Sequence, residues 1–187
     1  MTGDPPKSRR WALWLPLALF AGFVVLVLIG LLKPADREVA SAMIGKPLPV
    51  FDLRPAVPER PGLSSSDFDP GSSAGRPRLL NIFASWCIPC AIEAPQLDRL
   101  KAAGVEIDGI AIRDRREDVA AFLARYGNPF SRIGADDVSA VQLAMGSSGV
   151  PETFVIDGKG VIRYQHIGEI RPEQVPLILE KLEEAGW

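Results

Sequence analysis

Two cysteines and one histidine, His166, are the only thiol and imidazole ligands in this 187-residue chain. A structural zinc site normally takes four ligands, so the count argues against that chemistry. It argues against a secreted disulfide framework as well, because such a framework closes long loops with several cysteines, whereas Cys87 and Cys90 close almost none. The chain also lacks an excess of either charge, with 21 Lys and Arg against 23 Asp and Glu. With no long charge block and no internal repeat, nothing points to nucleic acid. Removing the long apolar run near the N-terminus leaves about 150 residues, ample for one core.

What is present centres on Trp86-Cys87-Ile88-Pro89-Cys90. Arg78 to Ala84 is a short apolar run with strand character, and Ala91-Ile92-Glu93-Ala94 are helix formers. A strand therefore delivers Cys87 to a helix N-terminus, where free N–H groups and the positive dipole end favour a thiolate. Cys87 is the expected low-pKa nucleophile, and Cys90, one helical turn on, is placed to resolve a mixed disulfide. Pro89 suits a first turn that has no use for its missing N–H. Such an exposed junction argues against two cysteines buried as small hydrophobes.

The N-terminal run fixes the expected compartment. Trp11 to Leu32 is about 22 uncharged, mostly apolar residues, enough to cross a hydrocarbon core of roughly 30 Å. Lys7, Arg9 and Arg10 precede it, and charge beyond it is mixed, so residues 1–10 are expected in the cytoplasm and everything after Leu32 outside. The alternative is a cleaved signal peptide, with Ala35 or Ala40-Ser41-Ala42 as the small-residue site; the run exceeds a usual h-region of about 7 to 15 residues. Either way the domain is exported. The expected organisation is a cytoplasmic N-terminus (1–10), a transmembrane anchor (11–32), a linker (33–43) and a periplasmic domain (44–187).

Beyond the anchor, Ile44 to Leu53 carries prolines that suit an edge strand or a lead-in segment, and residues 54–77, rich in Pro, Gly, Ser and Asp, read as irregular cover over the sheet. Val105–Ile112 shows alternation and β-branching, and Asp118–Tyr126 has helical spacing. A β-α-β unit with a right-handed crossover follows from that order. Glu152–Asp157 and Val161–His166 flank the hairpin turn Asp157-Gly158-Lys159-Gly160, and an amphipathic helix is predicted from Pro172 to Glu184.

With Cys-x-x-Cys after the first core strand and a terminal hairpin and helix, residues 44–187 resemble the thioredoxin-like superfamily. The resemblance implies an α/β fold, a central mixed sheet flanked by helices, preceded here by one N-terminal transmembrane helix. Pro95 stands where these proteins kink the active-site helix, and Val150-Pro151-Glu152-Thr153 looks like their cis-proline segment. Pro151 would then face the sulfurs, with the main chain of Val150 free to pair with a bound peptide as an added strand. Leu79–Cys87, Tyr126-Gly127-Asn128-Pro129-Phe130, Gly149–Asp157 and Ile162–Gly168 narrow the match to the membrane-anchored cytochrome c maturation thiol:disulfide interchange proteins of the CcmG/DsbE type. That resemblance implies a periplasmic reductant of the haem-binding Cys-x-x-Cys-His cysteines of apocytochrome c, or of a mixed disulfide with another maturation factor. Electrons would come from a transmembrane thiol transporter, and no cofactor beyond the redox-active Cys87–Cys90 disulfide is implied.

The resemblance also marks departures. Asn81 stands where thioredoxins carry a buried aspartate that assists proton transfer, and an amide cannot exchange that proton. Glu93, three residues after Cys90 on the helix, and Glu152, after the expected cis-proline, both match acidic positions of the family and are the candidate proton groups. Partly desolvated, they would shuttle protons to Cys90 and raise the thiol pKa values. Trp86 is expected over the active-site turn, contributing with Val150 and Pro151 to client binding, and His166 is not expected to be a ligand. A copper chaperone of the same fold would space its cysteines by three residues rather than two. A general disulfide oxidant and a metal- or client-binding module remain the alternative functions, since Cys-x-x-Cys alone fixes neither direction nor use.

Overall fold

The structure, a computed structural model, describes residues 11–32, 42–71 and 75–187. The chain divides into two units, Met1–Val39 and Ala40–Trp187. In the first, Trp11–Leu32 forms a helix of 22 residues, α1, with Pro16 inside it. The side chains described in α1 run from 14 to 30, and all of them are exposed. Among the described residues no helix is long and apolar enough to cross a membrane. The expected cytoplasmic N-terminus, most of the linker and the Ala35 and Ala40-Ser41 positions lie outside the described residues.

The second unit is built on a five-stranded sheet in the order β5-β4-β3-β6-β7. Its strands are β3 (Arg78–Phe83), β4 (Ile107–Ile112), β5 (Ile133–Asp136), β6 (Glu152–Ile156) and β7 (Ile162–Ile167). β3, β4 and β5 are parallel neighbours, while β6 runs antiparallel to both β3 and β7. Parallel pairing needs crossovers, supplied by α2 (Ile88–Ala102) and α3 (Arg116–Tyr126). The expected alternation in β4 is absent: every residue from Ile107 to Ile112 is buried, Asp108 included, because both faces of the inner strands are covered. The thioredoxin-like arrangement expected from the sequence is present.

β5 and the five-residue α4 (Ala140–Ala144) were not foreseen. The stretch 54–77 does cover the sheet, but its anchor is a two-stranded ribbon of β1 (Asp52–Leu53) and β2 (Leu63–Ser64). Pro55 bridges to Gly134, and Gly134 has no room for a side chain because Leu53 Cβ would stand 2.7 Å away. The terminal helix begins as a 3-10 turn at Pro172–Gln174 before α5 (Val175–Glu184).

Beside the cysteines, Phe83 stacks on Phe130 with centroids 4.8 Å apart, and Phe122 and Tyr126 extend the aromatic row. At the opposite end of β3, Arg78 donates to Asp108 at 2.8 Å and lies over the Phe68 ring. Both members of that ion pair are buried.

Candidate active site

β3 ends at Phe83, and four residues later Cys87 caps the N-terminus of α2. Its Sγ accepts the Cys90 N–H at 3.1 Å, so the sulfur sits where unpaired first-turn donors converge. Pro89 is in the first turn and Pro95 inside the helix. Cys87 and Cys90 form a disulfide with Cα atoms 5.3 Å apart. The junction is less open than the sequence suggests: Cys87 is 5 % exposed and Cys90 3 %. The neighbours Trp86 and Ile88, at 57 % and 76 %, carry the exposed apolar surface.

The turn before the cysteines is held from the β4–α3 connection. Asp114 accepts from Ser85 N and, at 2.7 Å, from Ser85 Oγ, while Trp86 Nε1 donates to Arg113 O at 3.3 Å. Arg113 adopts a left-handed φ of +44° to make this approach, a conformation rare outside glycine. Trp86, Arg113, Arg125 and Tyr126 line a groove of about 530 Å³ beside the indole.

The Val150–Pro151 bond is cis, as the family resemblance implied. Ile82 lies opposite Glu152 in the antiparallel β3–β6 pair, so the chain at 150–151 runs alongside the end of β3 that leads to Cys87.

The register also separates the two candidate carboxylates. Asn81 is opposite Thr153, and His166 is opposite Thr153 on the other side, so these three share a face. α2 adds Glu93 to that face: its Oε1 accepts from Asn81 Nδ2 at 2.9 Å and its Oε2 from Ile170 N at 3.0 Å. Burial pushes the Glu93 carboxyl up from 4.5 to about 7, against those two hydrogen bonds, and Glu169 pushes the same way as burial. A cavity of about 10 Å³, on the order of one water, is lined by Asn81, Cys90 and Glu93. His166 is buried, burial lowers its pKa, and among the described residues no group of His, Cys, Asp and Glu side chains could hold a metal ion.

Glu152 faces the other side of the sheet. Its Oε1 accepts from Ser148 N at 2.9 Å, Ser148 Oγ at 2.8 Å and Gly149 N at 3.1 Å, and its Oε2 accepts from Gln165 Nε2 at 2.6 Å. The structure thus brings Cys87, Cys90 and Glu93 together and uses Glu152 to hold the segment entering the cis-proline. Gln142, Ser148, Gln165 and Asp114 were missed by sequence reasoning. Hairpin register was the available signal for Gln165, since it lies opposite Phe154 and so shares Glu152's face.

The chain matches the Redoxin family over residues 44–182. It is 41 % identical over 163 residues to the thiol:disulfide interchange protein DsbE of Pseudomonas fluorescens biotype C, covering 87 % of each chain. To the Escherichia coli K12 protein of the same name it is 34 % identical over 182 residues, covering 92 % of this chain and 96 % of that one. A crystal structure from Chlorobium tepidum described as a DsbE-type interchange protein superposes with a TM-score of 0.61 at 25 % identity, over 76 % of this chain and 96 % of the other.

Proposed function

We propose, from the premise that the chain belongs to the Redoxin family and within it to the thiol:disulfide interchange proteins of the DsbE and HelX type, that it is a periplasmic reductant of cytochrome c biogenesis. Its clients are the Cys-x-x-Cys-His cysteines of apocytochrome c or a mixed disulfide with a maturation thiol protein. The apolar run Trp11–Leu32, with Lys7, Arg9 and Arg10 before it, serves as a single-pass anchor, a reading supported by the sequence pattern alone.

In the forward reaction the Cys87 thiolate attacks one sulfur of the client disulfide and the other leaves as a thiolate, giving a mixed disulfide. Cys90 then loses its proton and attacks Cys87 Sγ, which forms the 87–90 disulfide and releases the client as a dithiol. Two electrons pass to the client, and a transmembrane thiol-electron transporter restores them. Glu93 is the group that takes the Cys90 proton, and Trp86, Val150 and Pro151 receive the client strand.

The observation that carries the direction is Glu93 itself. A strong oxidant of this chemistry depends on a stabilised reduced form, whereas a buried carboxylate facing Cys90 opposes a thiolate there and favours the disulfide. The test is the reduction potential of the chain, equilibrated against glutathione or dithiothreitol with Trp fluorescence as readout. A value near roughly −270 mV, or on the reducing side of about −200 mV, is expected; one near about −120 mV would make the protein a disulfide-forming oxidant.

A further inference from the structure

Gly149 is gripped from both sides. Its N–H donates to Glu152 Oε1 at 3.1 Å, and its carbonyl accepts from Gln142 Nε2 at 3.2 Å and from Ser147 Oγ at 3.1 Å. The preceding N–H, that of Ser148, is also taken by Glu152. Glu152 and Gln142 are themselves 1 % and 2 % exposed, so neither is a swinging surface group. Glu152 is fixed further by Gln165, and Gln142 by its own N–H to Asp136 Oδ2 at 2.9 Å. Immediately after this clamp, neither the N–H nor the C=O of Val150 makes a hydrogen bond among the described residues. Two buried side chains thus take the N–H groups of Ser148 and Gly149 and the carbonyl of Gly149, and stop one residue short of the cis-proline.

We infer that Glu152 and Gln142 are positioning residues for client docking, which hold the Ser148–Gly149 main chain so that the Val150 N–H and C=O stand ready to pair with an extended client strand. The inference rests on the client-strand reading above. A main-chain donor and acceptor fixed in advance lower the ordering cost of binding an added strand, so their loss appears as weaker client binding. Glu152 here touches neither sulfur nor proton; it acts through the loop.

The test uses the reduced full chain in detergent micelles and two disulfides. One is an oxidised peptide containing Cys-Xaa-Xaa-Cys-His; the other, 5,5′-dithiobis(2-nitrobenzoate), has no main chain to pair. Glu152→Ala is expected to raise KM for the peptide about tenfold while the rate constant with the small disulfide falls less than about twofold. Glu152→Gln is expected to recover most of the loss. The amide oxygen still accepts from Ser148 and Gly149, and Gln165 Oε1, which has no partner, can take the new N–H once that amide turns over. A proton carrier would be lost equally in both variants.

Gln142→Ala, on the other side of Gly149, is expected to raise the peptide KM in the same direction, and it decides the matter with Glu152→Gln if the alanine variant at 152 fails to fold. Equal losses on both disulfides, a glutamine no better than alanine, or an unchanged KM in Gln142→Ala would each overturn the inference. If the unmodified protein ignores the haem-motif peptide but reduces oxidised insulin, the cytochrome reading fails while the KM comparison proceeds on insulin.

Discussion

Replacing Glu93 by glutamine converts a buried titration into a stability measurement. The carboxyl is fully buried and raised from 4.5 to about 7, chiefly by desolvation. Between those values the native protein holds a proton that the unfolded chain has released. Stability therefore falls as pH rises through this window, and the whole penalty is present above about pH 7. At ~1.36 kcal/mol per pH unit, the displacement amounts to about 3 kcal/mol. Glutamine has the same shape and can still accept from Ile170 N, but it does not titrate. The stability of Glu93→Gln minus that of the unmodified chain is thus expected to grow by about 3 kcal/mol from pH 4 to pH 8. Urea unfolding of the oxidised full chain in micelles, followed by near-ultraviolet circular dichroism, gives both values; in the oxidised form neither cysteine titrates. Asp108, raised by burial to about 6, also titrates in this range, and burial lowers the His166 pKa, but both groups are common to both proteins. Any fixed cost of the amide likewise cancels between the two pH values. A difference flat to within about 0.5 kcal/mol, or one that shrinks toward pH 8, would refute a buried carboxyl that titrates near neutrality and with it the proton role at Cys90.

Two further outcomes follow from the buried contacts. Asp108→Ala leaves Arg78, with a side chain only 4 % exposed, without its buried partner, and a loss of about 3–5 kcal/mol is expected in the same unfolding assay with an unchanged reduction potential; a loss under about 1 kcal/mol would show that the half-exposed Glu106, 3.3 Å from the same guanidinium nitrogen, can hold it alone. Phe130→Ala removes the ring stacked at 4.8 Å on Phe83 and is expected to cost about 3–5 kcal/mol. Phe130 also lines the cavity shared with Cys90 and Glu93, so the variant is expected to bring the Glu93 carboxyl down toward ordinary values, read from its ¹³C shift against pH; an unmoved titration would separate the aromatic row from the site.

What was legible in the sequence was what local chemistry decides. The strand-to-helix junction at Cys87 and the hairpin across Asp157–Gly160 are signalled by residues within a few positions of themselves, whereas the cis-proline segment was legible only through the family resemblance of Val150-Pro151-Glu152-Thr153. β5 was not legible because Ile133-Gly134-Ala135-Asp136 has little β propensity; it becomes a strand by pairing with β4 and by Ala135 N donating to Arg54 O. α4 is too short for a periodicity and is defined by Asp136, whose carboxylate accepts from Ala140 N and Gln142 N. Glu152 was read as a proton group because three of its four donors belong to a loop whose course only the tertiary structure sets. Glu93 was readable by helical spacing, but its burial depends on Asn81 and Ile170, which lie 12 and 77 residues away in sequence.

β6 explains why the two candidate carboxylates come to face opposite sides of the sheet. Successive side chains on a strand point to opposite faces, so Glu152 and Thr153 cannot serve the same side of the sheet. Thr153 joins Asn81 and, through it, Glu93 on one face; Glu152 joins Gln165 and Ser148 on the other. A slip of one residue in the β3–β6 register would exchange the two sets, leaving a carboxylate among the apolar side chains and the docking loop without its brace. The segment after β7 then ties the sides together, since Gly168 N donates to Pro151 O and Ile170 N to Glu93 Oε2. Three residues of main chain thus span from the cis-proline to the buried acid. The position of the cis-proline relative to the cysteines is set by the same pairing that buries Glu93, so neither function can be tuned by moving a strand without disturbing the other.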